Sequence, residues 1–229
     1  MKVSGDGSFK FAAGFGRPAI LLLSILMTAG LFSCSSMYFN TMEKVGVHKR
    51  DILVERVEKA RDSQSDAQKQ FKSALEQFES VIALKDTDLK QAYESLNQDY
   101  EDSKAAAQTV SSRISSVESV AQALFKEWAG ELEEYKNADM KASSKRQLAV
   151  TRKRYQAMLA TMKKAEKSMD PVLVTFHDNV LFLKHNLNAQ AIGSLHGEFS
   201  RLKGEIKQLI ETMNASIASS NTFIEGLKE

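Results

Sequence analysis

Apolar residues recur along this chain in alternating four- and three-residue steps, and the pattern persists through four long runs. Helices packed along a shared seam have that period, whereas a half-buried strand alternates with period two. The first run reads Leu53, Val57, Ala60, Gln64, Ala67, Phe71, Ala74, Phe78 and Val81. The second begins at Leu89 and passes through Leu96, Val110, Ile114 and Val117 to Trp128. The third holds Leu148, Tyr155, Met158, Met162, Ala165, Met169, Val172, Phe176, Val180 and Leu183, and the fourth climbs from Leu195 to Leu227. Such a chain is constrained to be all-α.

The breaks between runs decide how the helices connect. Asp86-Thr87-Asp88, Asn137-Ala138-Asp139 and His185-Asn186-Leu187-Asn188 each offer side chains suited to capping a new helix. Turn-builders are otherwise scarce: the chain has 2 prolines and 11 glycines, and Pro18 with Gly5, Gly7, Gly14, Gly16 and Gly30 lies before residue 34. Helices are therefore expected over about 38–84, 88–136, 140–185 and 189–227. Each would be roughly 60–75 Å long at 1.5 Å per residue. Near-equal helices joined by short turns make an elongated antiparallel four-helix bundle. Pro171 falls inside the third run without shifting its phase, which predicts a kink rather than a break. Equal turn spacing would put Gln64, Gln108, Ser168 and Ile206 in one layer. The Asn137 turn and the carboxyl terminus would share the end from which the amino-terminal segment leaves.

Residues 1–33 read as a leader. A weakly basic start precedes an apolar run from Ala19 to Phe32, too short for a comfortable transmembrane helix of about 20 residues. The run ends in Leu31-Phe32-Ser33-Cys34, which resembles the bacterial lipobox, although Phe32 is bulkier than usual there. The resemblance implies cleavage before Cys34, a diacylglycerol on its thiol and a further acyl chain on its new amino group. The mature domain would then span 34–229. Ser35 and Ser36 in place of an acidic residue imply transfer to the inner leaflet of the outer membrane, facing the periplasm. Cys34 is the sole cysteine, so a disulfide within the chain is excluded.

Little in the chain suggests catalysis. His48, His177, His185 and His196 all lack an acidic residue three positions earlier, the pattern of carboxylate di-metal bundles. His177 and His185 lie two turns apart and are the weak metal candidates. Nucleotide-binding loops, nucleophile elbows and zinc-protease motifs are missing. The expectation is a protein that is not an enzyme, with no cofactor, no metal and no small-molecule substrate. Of 31 basic and 29 acidic residues, the leader holds Lys2, Lys10, Arg17 and Asp6, leaving 28 of each sign. That balance creates no global field for nucleic acid.

Three surface features suggest partners instead. From Met140 to Met169 there are nine basic residues, among them Lys145, Arg146, Arg152, Lys153 and Arg154, against the single acid Glu166. They either pair with Glu127, Glu131, Glu133 and Glu134 across the turn or meet anionic lipid or an acidic partner. Gly193, Gly197, Ser200 and Gly204 form a small-residue row opposite the seam of their helix. Each exposed helical glycine costs roughly 1 kcal/mol relative to alanine, which points to a closely approaching helix from a partner or second copy. Val172 to Leu183 is apolar nearly all round, as expected of complete burial or of a binding patch.

The strings YFNTMEKVGVHKRDILVERV from Tyr38, ALFKEWAGELEEY from Ala123 and VLFLKHNLNAQAI from Val180 resemble domain-of-unknown-function family 2959. The resemblance implies a coiled-coil lipoprotein of the Gram-negative envelope and carries no functional residues. Taken together, these features point to a non-enzymatic envelope lipoprotein, held on the membrane by its lipid anchor and acting as scaffold or adaptor for another envelope protein or through self-association. The alternative is a membrane-surface protein whose basic helix, 140–169, binds anionic lipid in envelope organisation or stress resistance.

Overall fold

The computed structural model describes residues 48–83, 89–186 and 189–228. They form four helices, α1 (Lys49–Ile82), α2 (Leu89–Glu131), α3 (Ala138–His185) and α4 (Ala189–Lys228). Helix α1 packs on α2, α2 on α3, α3 on α4, and α4 returns to α1, which closes the bundle. Neighbours run antiparallel. Lys49 at the start of α1 meets Glu127 near the end of α2 at 2.7 Å, and Trp128 of α2 meets Ser144 of α3 at 2.8 Å. Arg61 of α1 reaches Asn221 of α4 at 3.1 Å, while Phe78 stacks on Phe199. One end thus gathers the start of α1, the α2–α3 connection and the end of α4.

The heptad residues fill the core. All nine of the first run are buried, as are the third run from Leu148 to Leu183 and the fourth from Leu195 to Leu227. In α2 the large Leu89, Tyr93, Tyr100, Leu124 and Trp128 are only half-buried, because their side chains reach the margins of the seam. Burial of Tyr155 pushes its hydroxyl up to about 12, with the charge of Glu118 adding to the effect, so it remains neutral among Phe125 and Phe223.

Local chemistry sets the ends. Asn137 caps α3, its side-chain oxygen accepting from the Met140 amide at 3.0 Å, and Asp139 complements the first turn. Helix α2 stops at Glu131 rather than continuing to 136, and short turn bonds from Glu133 to Gly130 and from Glu134 to Glu131 close it. The capping residues 86–88 and Leu187-Asn188 lie outside the described residues, as do 38–47 of the expected first helix. Helix α3 passes unbroken through Pro171. The ring removes an amide that would have bonded the Lys167 carbonyl, and both residues are exposed, so water can take the place of the lost donor.

The expected layer of Gln64, Gln108, Ser168 and Ile206 does not include Ile206. Gln64 is fully buried, but Gln108 is exposed and Ser168 is half-buried. The pairs Arg61–Asn221 and Gln68–Asn214 bracket Gln64, which sets it opposite the Ser216 region of α4; Ile206 instead shares a groove with Leu75. Equal spacing from the turns does not capture the stagger between α1 and α4. Gln68 donates to the Ile210 carbonyl at 3.1 Å and to Asn214 at 2.9 Å. Neither amide atom of Gln64 has a hydrogen-bond partner, and neither does the Ser216 hydroxyl. An unmet buried amide costs about 1–3 kcal/mol. Gln64→Leu is accordingly expected to stabilise the bundle by about that amount in urea denaturation. A loss of stability would show that the amide has a partner, such as a buried water.

Candidate functional site

The basic residues of α3 divide among three directions. Arg152 turns towards α2, donating to the Phe125 carbonyl at 3.3 Å with its guanidinium 5.4 Å from that ring's centre. Arg154 turns towards α4, its guanidinium resting over Gly226, where a Cβ would lie 2.8 Å away. Arg146 and Lys153 face outward and are exposed, and Lys164 and Lys167 continue the same row at heptad spacing. These four have no ion-pair partner among the described residues. Exposed Val150 and Val174 lie on that face as well.

Pairing across the α2–α3 turn is therefore partial. Lys141 binds Glu133 at 2.9 Å. That hydrogen bond, with the charges of Lys141 and Lys145, holds the Glu133 carboxyl below its usual range. Glu127 is taken by Lys49 of α1 instead. Further along, Lys163 joins Glu118 at 2.8 Å and Glu166 at 3.4 Å, and the bond to Glu118 raises the Lys163 pKa. The acids that sequence proximity offers to the cationic row are largely committed to other bases.

On α4, Gly193, Gly197, Ser200 and Gly204 are exposed, and a Cβ at any of the three glycines would meet nothing within 4 Å. The row is open, so no contact within the bundle explains its small residues. The apolar stretch of α3 is split. Val172, Phe176, Val180 and Leu183 are buried, while Val174, Leu181 and Phe182 are 60%, 38% and 39% exposed. Sequence reading missed the polar residues between them. Thr175 and Asn179 are buried, Asn179 donates to the Thr175 carbonyl at 2.7 Å, and Arg201 of α4 donates to the Thr175 hydroxyl at 3.1 Å. The signal was there, since both lie at helical spacing with Val172 and Phe176.

His177 stacks on Tyr100 with ring centres 4.8 Å apart, and His185 ends α3 in an exposed position. Among the described residues no group of three or more His, Cys, Asp or Glu could hold a metal ion. No helix among them is long and apolar enough to cross a membrane. Cys34 lies outside the described residues.

Closed pairing of four antiparallel helices around heptad seams defines an all-α bundle. The chain belongs to the family described as protein of unknown function (DUF2959), whose model matches residues 38–227. Among curated proteins none matches the chain.

Proposed function

We propose that the chain is a non-enzymatic lipoprotein of the cell envelope, anchored through acyl chains on Cys34 in the inner leaflet of the outer membrane. It acts there as a scaffold or adaptor for another envelope component. One observation carries this reading: the start of α1 and the Gly193–Gly204 row lie towards opposite ends of a stiff bundle. With 48 residues in α3, a tether at the α1 end would hold the far end roughly 70 Å away. The open row is the surface on which a partner helix, or a second copy, would approach. The test is crosslinking in intact cells followed by affinity purification, comparing the native chain with Gly197→Leu. One near-stoichiometric partner lost with the variant is the expected result. The variant should fold normally, since nothing lies within 4 Å of the added side chain's first atom. A partner recovered equally with both chains would move the docking surface elsewhere, and recovery of no protein would remove the adaptor role.

The outward row Arg146, Lys153, Lys164 and Lys167 favours a second reading, in which this face lies against anionic lipid. Each basic residue near such a surface contributes about 1 kcal/mol at low salt. Lys153→Glu with Lys164→Glu is therefore expected to weaken sedimentation with phosphatidylglycerol vesicles by at least about tenfold. Binding that is insensitive to salt and to the two substitutions would sink that reading.

A further inference from the structure

The end of the bundle that gathers α1's start and α4's finish carries a groove of about 590 Å³. Its apolar wall is formed by Leu124 and Trp128 of α2 and Val150 of α3, and the rim carries the guanidiniums of Arg50, Arg146 and Arg154. Two carboxylates, Glu127 and Glu131, also line it. Glu127 is already neutralised by Lys49 at 2.7 Å. Arg50 donates to the Leu227 carbonyl, and Arg154 rests on Gly226, so both also complement the negative end of α4. Arg146 is exposed and has no hydrogen-bond or ion-pair partner among the described residues. Trp128 is held in place by donating from its indole nitrogen to the Ser144 hydroxyl at 2.8 Å.

We propose that this groove binds one anionic phospholipid, its phosphate on Arg146 with Arg50 and Arg154 nearby, and the upper part of an acyl chain against Trp128, Leu124 and Val150. The charge is complementary: three guanidiniums share the groove with two carboxylates, and Glu127 is paired with Lys49. Guanidinium binds phosphate through two parallel hydrogen bonds, so Arg146 is suited to the headgroup. Tryptophan and arginine side by side fit the boundary between headgroup and hydrocarbon, where an apolar ring and a polar edge are satisfied together. Position agrees as well. Thirteen residues separate Cys34 from His48, at most roughly 50 Å of extended chain, so a lipid-anchored molecule keeps this end within reach of the bilayer. The inference rests on the membrane reading above but differs from it. The α3 face would meet many headgroups through outward lysines, whereas the groove takes a single lipid between helices.

Trp128 is the only tryptophan in the chain, so its emission reports on this groove alone. The test uses the full-length protein in maltoside micelles, titrated with phosphatidylglycerol whose acyl chains carry bromine, a contact quencher. Expected are quenching of Trp128 with a half-point at least about tenfold lower than for brominated phosphatidylcholine, and a further shift of about tenfold upward in Arg146→Ala. Lys164→Ala, on the outward row and away from the groove, should leave the titration unchanged. Excess inorganic phosphate should not displace the lipid, because it lacks the acyl chain; full displacement would make the groove a simple anion site and overturn the proposal. Equal quenching by both lipids would overturn it too. An unquenched Trp128 would mean that the groove is closed to lipid. If vesicle sedimentation persisted in that case, only the groove would fall and the α3 reading would stand. Loss of both would remove the two together.

Discussion

Phe176→Ala is expected to destabilise the bundle by about 3–5 kcal/mol, the range for deleting a buried aromatic side chain. The ring is fully buried on α3 and meets two others edge-on: Phe78 of α1 at 6.4 Å and 82°, and Tyr100 of α2 at 6.0 Å and 86°. Phe78 in turn stacks on Phe199 of α4 at 5.7 Å and 20°. One aromatic cluster therefore ties all four helices together. Edge-on and offset pairs contribute about 0.5–1.5 kcal/mol beyond burial, and two of these pairs end on Phe176. The cluster lies one to two turns beyond Pro171, where α3 has lost a backbone hydrogen bond, so the helix depends on side-chain packing there. Chemical denaturation should show the loss as a lower midpoint with an unchanged slope. Val174→Ala, two residues away and 60% exposed, should change stability by no more than about 0.5 kcal/mol. A cost below about 1 kcal/mol for Phe176→Ala would mean that the cluster is not packed in solution.

That cluster also shows how far the sequence could be read. Phe78, Phe176 and Phe199 each stand at a heptad position, and heptad spacing forecasts burial because it holds a residue on the seam. Which residues share a layer depends on the stagger of neighbouring helices, and no periodicity within one helix encodes stagger. Gln64 and Ile206 were for that reason expected at one height, whereas the Gln68–Asn214 pair sets them apart. The end of α2 was misplaced for a related reason. Its pattern stays helix-compatible to Lys136, and the stop at Glu131 comes from turn bonds that begin at Gly130.

The surfaces were legible in composition and illegible in direction. A run of bases on α3 is plain in the sequence, yet Arg152, Lys153 and Arg154 point to α2, to solvent and to α4, because successive residues on a helix turn by about 100°. Only the members spaced like Arg146, Lys153 and Lys164 remain together on one face. The groove beside Trp128 combines residues of all four helices, and no local motif could have announced it. The glycine row needed no tertiary information, since its members recur on one face of a single helix, and its exposure agrees with that spacing.

Replacing residues 1–34 with a leader cleaved by an ordinary signal peptidase, so that the mature chain starts at Ser35, is expected to move the protein wholly from the membrane to the soluble periplasmic fraction. Each buried acyl CH₂ contributes about 0.8 kcal/mol, one myristoyl-length chain binds only marginally, and two or more anchor stably. The lipobox-like end at Cys34 implies more than two chains. No helix among the described residues can span a bilayer, and the outward cations of α3 would give only a salt-sensitive attachment. The native chain should therefore withstand a high-salt wash and yield to detergent. Its intact mass should correspond to a chain starting at Cys34 plus acyl groups. Cys34→Ala should lack the acyl mass and retain residues 1–33, since the cleavage and the lipid both require the thiol. If the Ser35 chain stayed on membranes at high salt, the anchor would have to lie in the domain itself. If the native mass carried no acyl groups, the lipoprotein assignment would be wrong and the groove would have to find its ligand without a tether.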